Sequence, residues 1–130
     1  MALHHIALGA QDVEALAAFY QDIFGLTVIT THYTAINTRY EDDIVRSIWL
    51  RCDDWILMIE RITHHDQRPI HTNGVSPGPF LLVFDAPDHE TFEQKLASYN
   101  IGVDMRTSYT IYARDPEGNR IAVSTYTVAG

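Results

Sequence analysis

Cysteine is nearly absent: Cys52 is the only one in 130 residues. An internal disulfide framework is therefore excluded, and such usage suits a reducing compartment. Nothing near Cys52 marks it as an activated thiolate, so it is not expected to act as a nucleophile. Basic charge is also scarce, with 9 Lys and Arg against 17 Asp and Glu and a formal net charge of −8. No basic run offsets this at either end, which argues against nucleic acid as a partner. No stretch approaches the ~20 consecutive apolar residues of a membrane span. The opening Met-Ala-Leu-His-His lacks the charged-then-apolar layout of a secretory signal. The expectation is a soluble, cytoplasmic protein with no membrane partner. What is present, 46% hydrophobic residues over 130 positions, is enough for one domain with a core and too little for two conventional ones.

Periodicity divides the chain into short elements. Residues 3–9 read as a strand. Leu16, Phe19, Tyr20, Ile23 and Phe24 then fall on one helical face, which predicts a helix from Val13 to Phe24. Asp12 is placed to accept from the free amides of its first turn, and Gly25 to end it in the left-handed region. Residues 26–33, 46–51 and 55–62 are rich in β-branched and aromatic residues and read as strands. A polar stretch, Thr34 to Asp43, separates the first two, and Asp53-Asp54 turns the chain between the last two. From His64 to Pro79, prolines, glycines and Asp66 and Asn73 leave a linker of roughly sixteen residues, long for a compact domain. Residues 80–84 then form a strand, Asp88 a cap, and Phe92, Leu96 and Tyr99 a helical stripe ending near Asn100 and Gly102. Strands follow at 103–107, 109–113 and 120–126, the last after an Asp115-to-Asn119 turn.

The second half repeats the grammar of the first. Shifted by 76 positions, Asp12 falls on Asp88, Glu14 on Glu90 and Leu16 on Phe92, with Gly25 meeting Gly102 after a one-residue slip. Near the end of each half a shift of 62 brings Asp54 onto Pro116 and Trp55 onto Glu117. The fold expected is α+β: two tandem βαβββ units, 1–63 and 80–130, joined by linker 64–79 within a single domain spanning 1–130.

The opening His-His-Ile-Ala-Leu-Gly-Ala-Gln-Asp, the Phe19-Tyr20 and Phe24-Gly25-Leu26 pairs, and the closing Arg114-Asp115-Pro116-Glu117-Gly118-Asn119-Arg120-Ile121 carry a resemblance. On these residues the chain resembles the vicinal oxygen chelate superfamily, which includes glyoxalase I, bleomycin-resistance proteins, extradiol dioxygenases and methylmalonyl-CoA epimerase. The resemblance covers essentially the whole chain. It implies paired units whose sheets curl into an open cup, completed by a homodimer, with a divalent metal at the bottom held from the first and last strand of each unit. Carried onto this sequence, the first unit supplies His5, with Ala7 and Gly9 on its face, and Glu60, with Met58 and Ile56. The second supplies Leu81 and Ala122, which cannot bind a metal. Neighbours Phe80, Leu82 and Val83 are equally inert, and no carboxylate lies between Arg120 and Ser124.

One imidazole and one carboxylate hold a divalent ion weakly. The first reading is therefore a metal-independent binder of a small organic molecule, with no resident cofactor. Its apolar, aromatic cup is lined by Trp49, Met58, Leu81, Tyr112 and Ala122. His5 and Glu60 are the catalytic candidates; if they face each other, the carboxylate would raise the imidazole's pKa and fix its tautomer. His4 is expected on the opposite face in a structural role, and Glu60 otherwise to pair with an arginine. Tyr33, Trp55 and Tyr109 read as core or interface residues, and Arg114 and Asp115 as securing the last turn. The alternative is a metal-dependent lyase, isomerase or dioxygenase in which His5 and Glu60 are joined by His64, His65 or His71 or by a partner subunit. A purely interactional subunit is the third reading.

Overall fold

The computed structural model describes residues 1–37, 40–62 and 80–128, with the backbone alone for 34–37 and 40–43. Contacts within the chain divide it into two units, Met1–Arg68 and Pro69–Gly130. Each contains one four-stranded mixed sheet and one helix. Linker 64–79 lies outside the described residues.

The first unit runs β1 (Ile6–Ala10), α1 (Val13–Phe24), β2 (Thr27–Asn37), β3 (Tyr40–Cys52) and β4 (Trp55–Arg61). Its sheet has the order β1-β4-β3-β2, with β1 parallel to β4 and the other pairs antiparallel. Parallel neighbours need a crossover, and α1 with the β2–β3 hairpin supplies it. The helix has the bounds the periodicity predicts. Asp12 accepts from the Ala15 amide at 3.0 Å, and Gly25 ends the helix at φ 71, its amide returning to Gln21 O at 3.0 Å. The buried stripe Val13, Leu16, Ala17, Phe19, Tyr20 and Ile23 covers one face of the sheet, where Leu50, Leu57 and Ile59 have no exposed surface. Fully burying such a side chain contributes about 1.5–3 kcal/mol, so this stripe anchors the unit.

Two expectations are corrected here. β1 begins at Ile6, leaving His4 and His5 ahead of it. The polar stretch is no interruption over its described residues: the backbone of 34–37 and 40–43 continues the ladder, with Thr34 opposite Ile44, Ala35 opposite Asp43 and Asn37 opposite Tyr40. Polar side chains obscured a hairpin that the backbone hydrogen bonds sustain.

The second unit runs β5 (Leu81–Asp85), α2 (His89–Ala97), β6 (Met105–Arg106), β7 (Thr110–Arg114) and β8 (Arg120–Ser124), in sheet order β5-β8-β7-β6. Asp88 caps α2, accepting from the Thr91 amide at 2.7 Å. Phe92 and Leu96 pack toward Phe84, Ile111, Ala113, Ile121 and Val123, the buried face of this sheet. The left-handed residue after α2 is Asn100, φ 58, and not Gly102. Asparagine is among the few residues that tolerate that region, so of the two residues expected near the end of the helix it is Asn100 that takes this conformation. Asp115 is buried in the last turn, where it accepts from the amides of Glu117 and Asn119, both at 2.9 Å, and from Asn119 Nδ2 at 2.8 Å. Arg114 donates to Gly118 O at 2.9 Å. The two sheets are thus built on one plan, a tandem βαβββ α+β fold.

Candidate functional site

In each sheet the helix occupies one face, and strand alternation decides what the other, open face carries. In the first unit, Ala7 pairs with Met58, Gly9 with Glu60, Trp49 with Met58 and Ser47 with Glu60. These residues alternate with the buried Ile48, Leu50, Leu57 and Ile59, so Ser47, Trp49, Met58 and Glu60 share the open face. A β-bulge at Arg46, between the pairs His32–Ser47 and Tyr33–Val45, turns Arg46 onto the same face beside Glu60. Arg46 Nη2 lies 4.0 Å from Glu60 Oε1, both side chains being partly exposed.

Trp49 is the centre of this face. The His5 ring lies 4.8 Å from it at a tilt, His4 at 6.1 Å edge-on and His32 at 5.9 Å edge-on. Trp49 Nε1 donates to Ser47 Oγ at 3.3 Å, and Ser47 Oγ stands 3.4 Å from His32 Nδ1. An indole N–H can only donate, so the Ser47 hydroxyl accepts from Trp49. The His4 and His5 Nδ1 atoms are 2.7 Å apart, one donating and the other accepting.

His4 thus joins His5 and Trp49 and does not turn away from them. Alternation fails because both histidines precede the strand. His5 and Glu60 do share the open face, but they are not a hydrogen-bonded pair. His5 precedes Ile6, which pairs with Leu57, whereas Glu60 pairs with Gly9. That is about four residues of strand, or ~13 Å at 3.3 Å each. Glu60 answers to Arg46, and His5 to His4 and Trp49. His32 and Ser47 were missed by sequence reasoning. Bulges at Ile29 and Arg46 break the period of two, and without it the register of this hairpin cannot be counted.

In the second unit, Leu81 pairs with Arg120, Val83 with Ala122, and Tyr112 with Ala122, so Leu81, Tyr112 and Ala122 share the open face. Ala122 has no exposed surface and forms floor. The register also corrects the matching of the halves. Gly9 pairs with Glu60, and its counterpart Asp85 pairs with Ser124. Ser124 is therefore the counterpart of Glu60, and Ala122 that of Met58; the turns that set the earlier matching differ in length. An open cleft of about 440 Å³ lies at this end of the sheet, lined by Asp85, Pro87, Ser124 and Tyr126 among others.

A catalytic divalent ion needs about three protein donors. Among the described residues no three His, Cys, Asp or Glu side chains come together to hold one. Leu81, Ala122 and Ser124 offer no imidazole or carboxylate, so the described donor set does not fit such an ion. His64, His65 and His71 lie outside the described residues. The Cys52 thiol is pushed up from its ordinary pKa, first by burial and then by the Asp53 carboxylate, which disfavours the thiolate.

Solved structures share this architecture. The lactoylglutathione lyase of Agrobacterium tumefaciens is 22% identical with a TM-score of 0.62, over 95% of this chain and 92% of that one. A possible glyoxalase from Bacillus cereus is 23% identical with a TM-score of 0.65, over 95% and 98%. The fosfomycin resistance protein FosX of Mesorhizobium loti is 12% identical with a TM-score of 0.67, over 98% and 93%. At these identities the likeness is one of fold. None of the curated proteins matches the sequence. The model of the Glyoxalase/Bleomycin resistance protein/Dioxygenase superfamily matches residues 2–123. With two βαβββ units in tandem and a family match along nearly its whole length, the chain belongs to that superfamily.

Proposed function

We propose that this chain binds small planar organic molecules on the open face of each sheet, without a complete divalent-metal site, and that it works as a cytoplasmic homodimer. The observation that carries the reading is the cluster around Trp49. Its indole is held by Ser47 and flanked by His5 and His32, so an aromatic surface is presented with polar groups at its margin. Such a combination suits a flat ligand that stacks on the ring and hydrogen-bonds at its edge. Leu81 and Tyr112 extend the same character to the second sheet, over the floor of Ala122. Dimerisation is supported by physical need. Tyr33, Met105 and Tyr109 are large side chains at least 48% exposed, and each sheet has edge strands to cover.

The test is a fluorescence titration of the Trp55→Phe variant, in which Trp49 is the only indole. A panel of small aromatic compounds is expected to yield a saturable quencher that binds equally well after dialysis against a chelator, while Trp49→Ala in the otherwise unaltered chain removes the heat of binding seen by calorimetry. Stoichiometric metal that survives the chelator, or quenching that needs added metal, would contradict the reading.

A further inference from the structure

Arg120 opens β8, between Leu81 on β5 and Arg114 on β7. It lies on the open face with Tyr112 and Ala122, while its neighbour Ile121 faces the core. Its guanidinium carbon Cζ is 5.5 Å from the centroid of the Phe80 ring and 5.5 Å from that of Tyr112. The residue is half-buried. Four other arginines among the described residues have polar partners, Arg46 with Glu60, Arg61 with the carbonyls of Val45 and Gln11, Arg106 with Glu93, and Arg114 with Gly118 O and Asp104, while Arg51 is exposed to water. Among the described residues Arg120 has no carboxylate and no carbonyl. It has only the two rings.

A guanidinium whose neighbours are aromatic rings has spent none of its N–H fork on an oxygen, and the fork remains able to donate. A cation drawn partly out of water without a counter-charge is costly, and an anion reaching the fork offsets that cost. The fork fits two oxygens of a carboxylate or a phosphate, in two parallel hydrogen bonds. Beside it lie Leu81, Tyr112 and the 51% exposed Val83, apolar surface for the body of the same molecule. The carboxylate of β5, Asp85, is at the far end of the strand, opposite Ser124.

We infer that Arg120 is an anion-recognition residue, and that the ligand of the second sheet carries a carboxylate or phosphate on an apolar, aromatic body. This rests on the reading that the open faces hold a small organic molecule, and it names the chemical class of that molecule.

Three probes separate the two ideas: benzoate, phenyl phosphate and the neutral benzamide, titrated at constant ionic strength and followed through the Arg120 Nε–H and Trp49 Nε1–H resonances. The anions should shift the Arg120 signal and bind about tenfold or more tighter than benzamide. In Arg120→Gln that preference should vanish, and in Arg120→Lys, which keeps the charge without the fork, it should fall part way. Equal binding of benzoate and benzamide to the unaltered protein, or an undiminished preference in Arg120→Gln, overturns the inference and leaves the aromatic-ligand reading standing. Inorganic phosphate that shifts Arg120 when none of the aromatic probes binds would uphold the anion site and refute the organic body. No response of Arg120 to any anion refutes the site.

Discussion

Asp115 shows how much one side chain can hold. Its carboxylate is 4% exposed and takes three hydrogen bonds from the last turn, two of them on Oδ1. Truncating it strands buried donors, at about 1–3 kcal/mol for each that finds no water. Asp115→Ala is therefore expected to lower the urea midpoint by the equivalent of about 3 kcal/mol. Asp115→Asn, which can keep the Oδ1 bonds, should lose clearly less; equal losses would mean that the turn is not held through Oδ1. Gly9 is constrained by space. A Cβ built there would lie 2.2 Å from Ile62 Cγ2. Gly9→Ala should destabilise by about 1–3 kcal/mol, and Ile62→Ala in the same chain should recover most of it. A double variant as weak as Gly9→Ala alone would place the strain elsewhere. His32 shows the opposite limit of legibility. Its role depends on Ser47 and Trp49 across a bulged hairpin, and no spacing along the chain encodes that contact.

Among the elements, the helices were the most legible because their signals are local. Asp12, the stripe through Ile23 and Gly25 fix α1 without reference to the rest of the molecule. α2 is shorter and carries less apolar surface, and of the two residues expected near its end, Asn100 takes the left-handed conformation and Gly102 does not. Its start leans on Asp88, whose carboxyl is held below its ordinary value, chiefly by the Thr91 amide. A depressed carboxyl stabilises the folded state above its unfolded pKa of about 3.9, and that contribution fades as pH falls through the lower folded value. Urea midpoints of the unaltered protein and of Asp88→Ala, measured from neutrality downward, should differ most above pH ~4 and converge below it. A gap that persists unchanged into strong acid would show that the carboxylate charge is not what caps α2. Strand existence was also legible from β-branched and aromatic content. Strand register was not, because it is set by partners distant in sequence, and this put Ala122 where Ser124 stands.

For the molecule as a whole, two units built on one plan explain why 130 residues suffice for two sheets, each with its own helix and buried layer. Length, repeat and family were readable because each rests on many residues at once. The candidate site was only half readable. His5, Trp49, Met58 and Glu60 could be named for the first sheet, whereas the distance between His5 and Glu60 and the rings around Arg120 required the fold. The two open faces differ in chemistry, imidazoles around an indole on the first and a guanidinium between two rings on the second. The central claim is ligand binding at Trp49 without a divalent ion, and the Trp49 Nε1–H resonance reports it most directly because that proton is bonded to Ser47. Titrating aromatic compounds in the presence of a chelator should move this resonance saturably for those that bind. A resonance unmoved by any of them, or moved only when divalent metal is restored, would contradict the account.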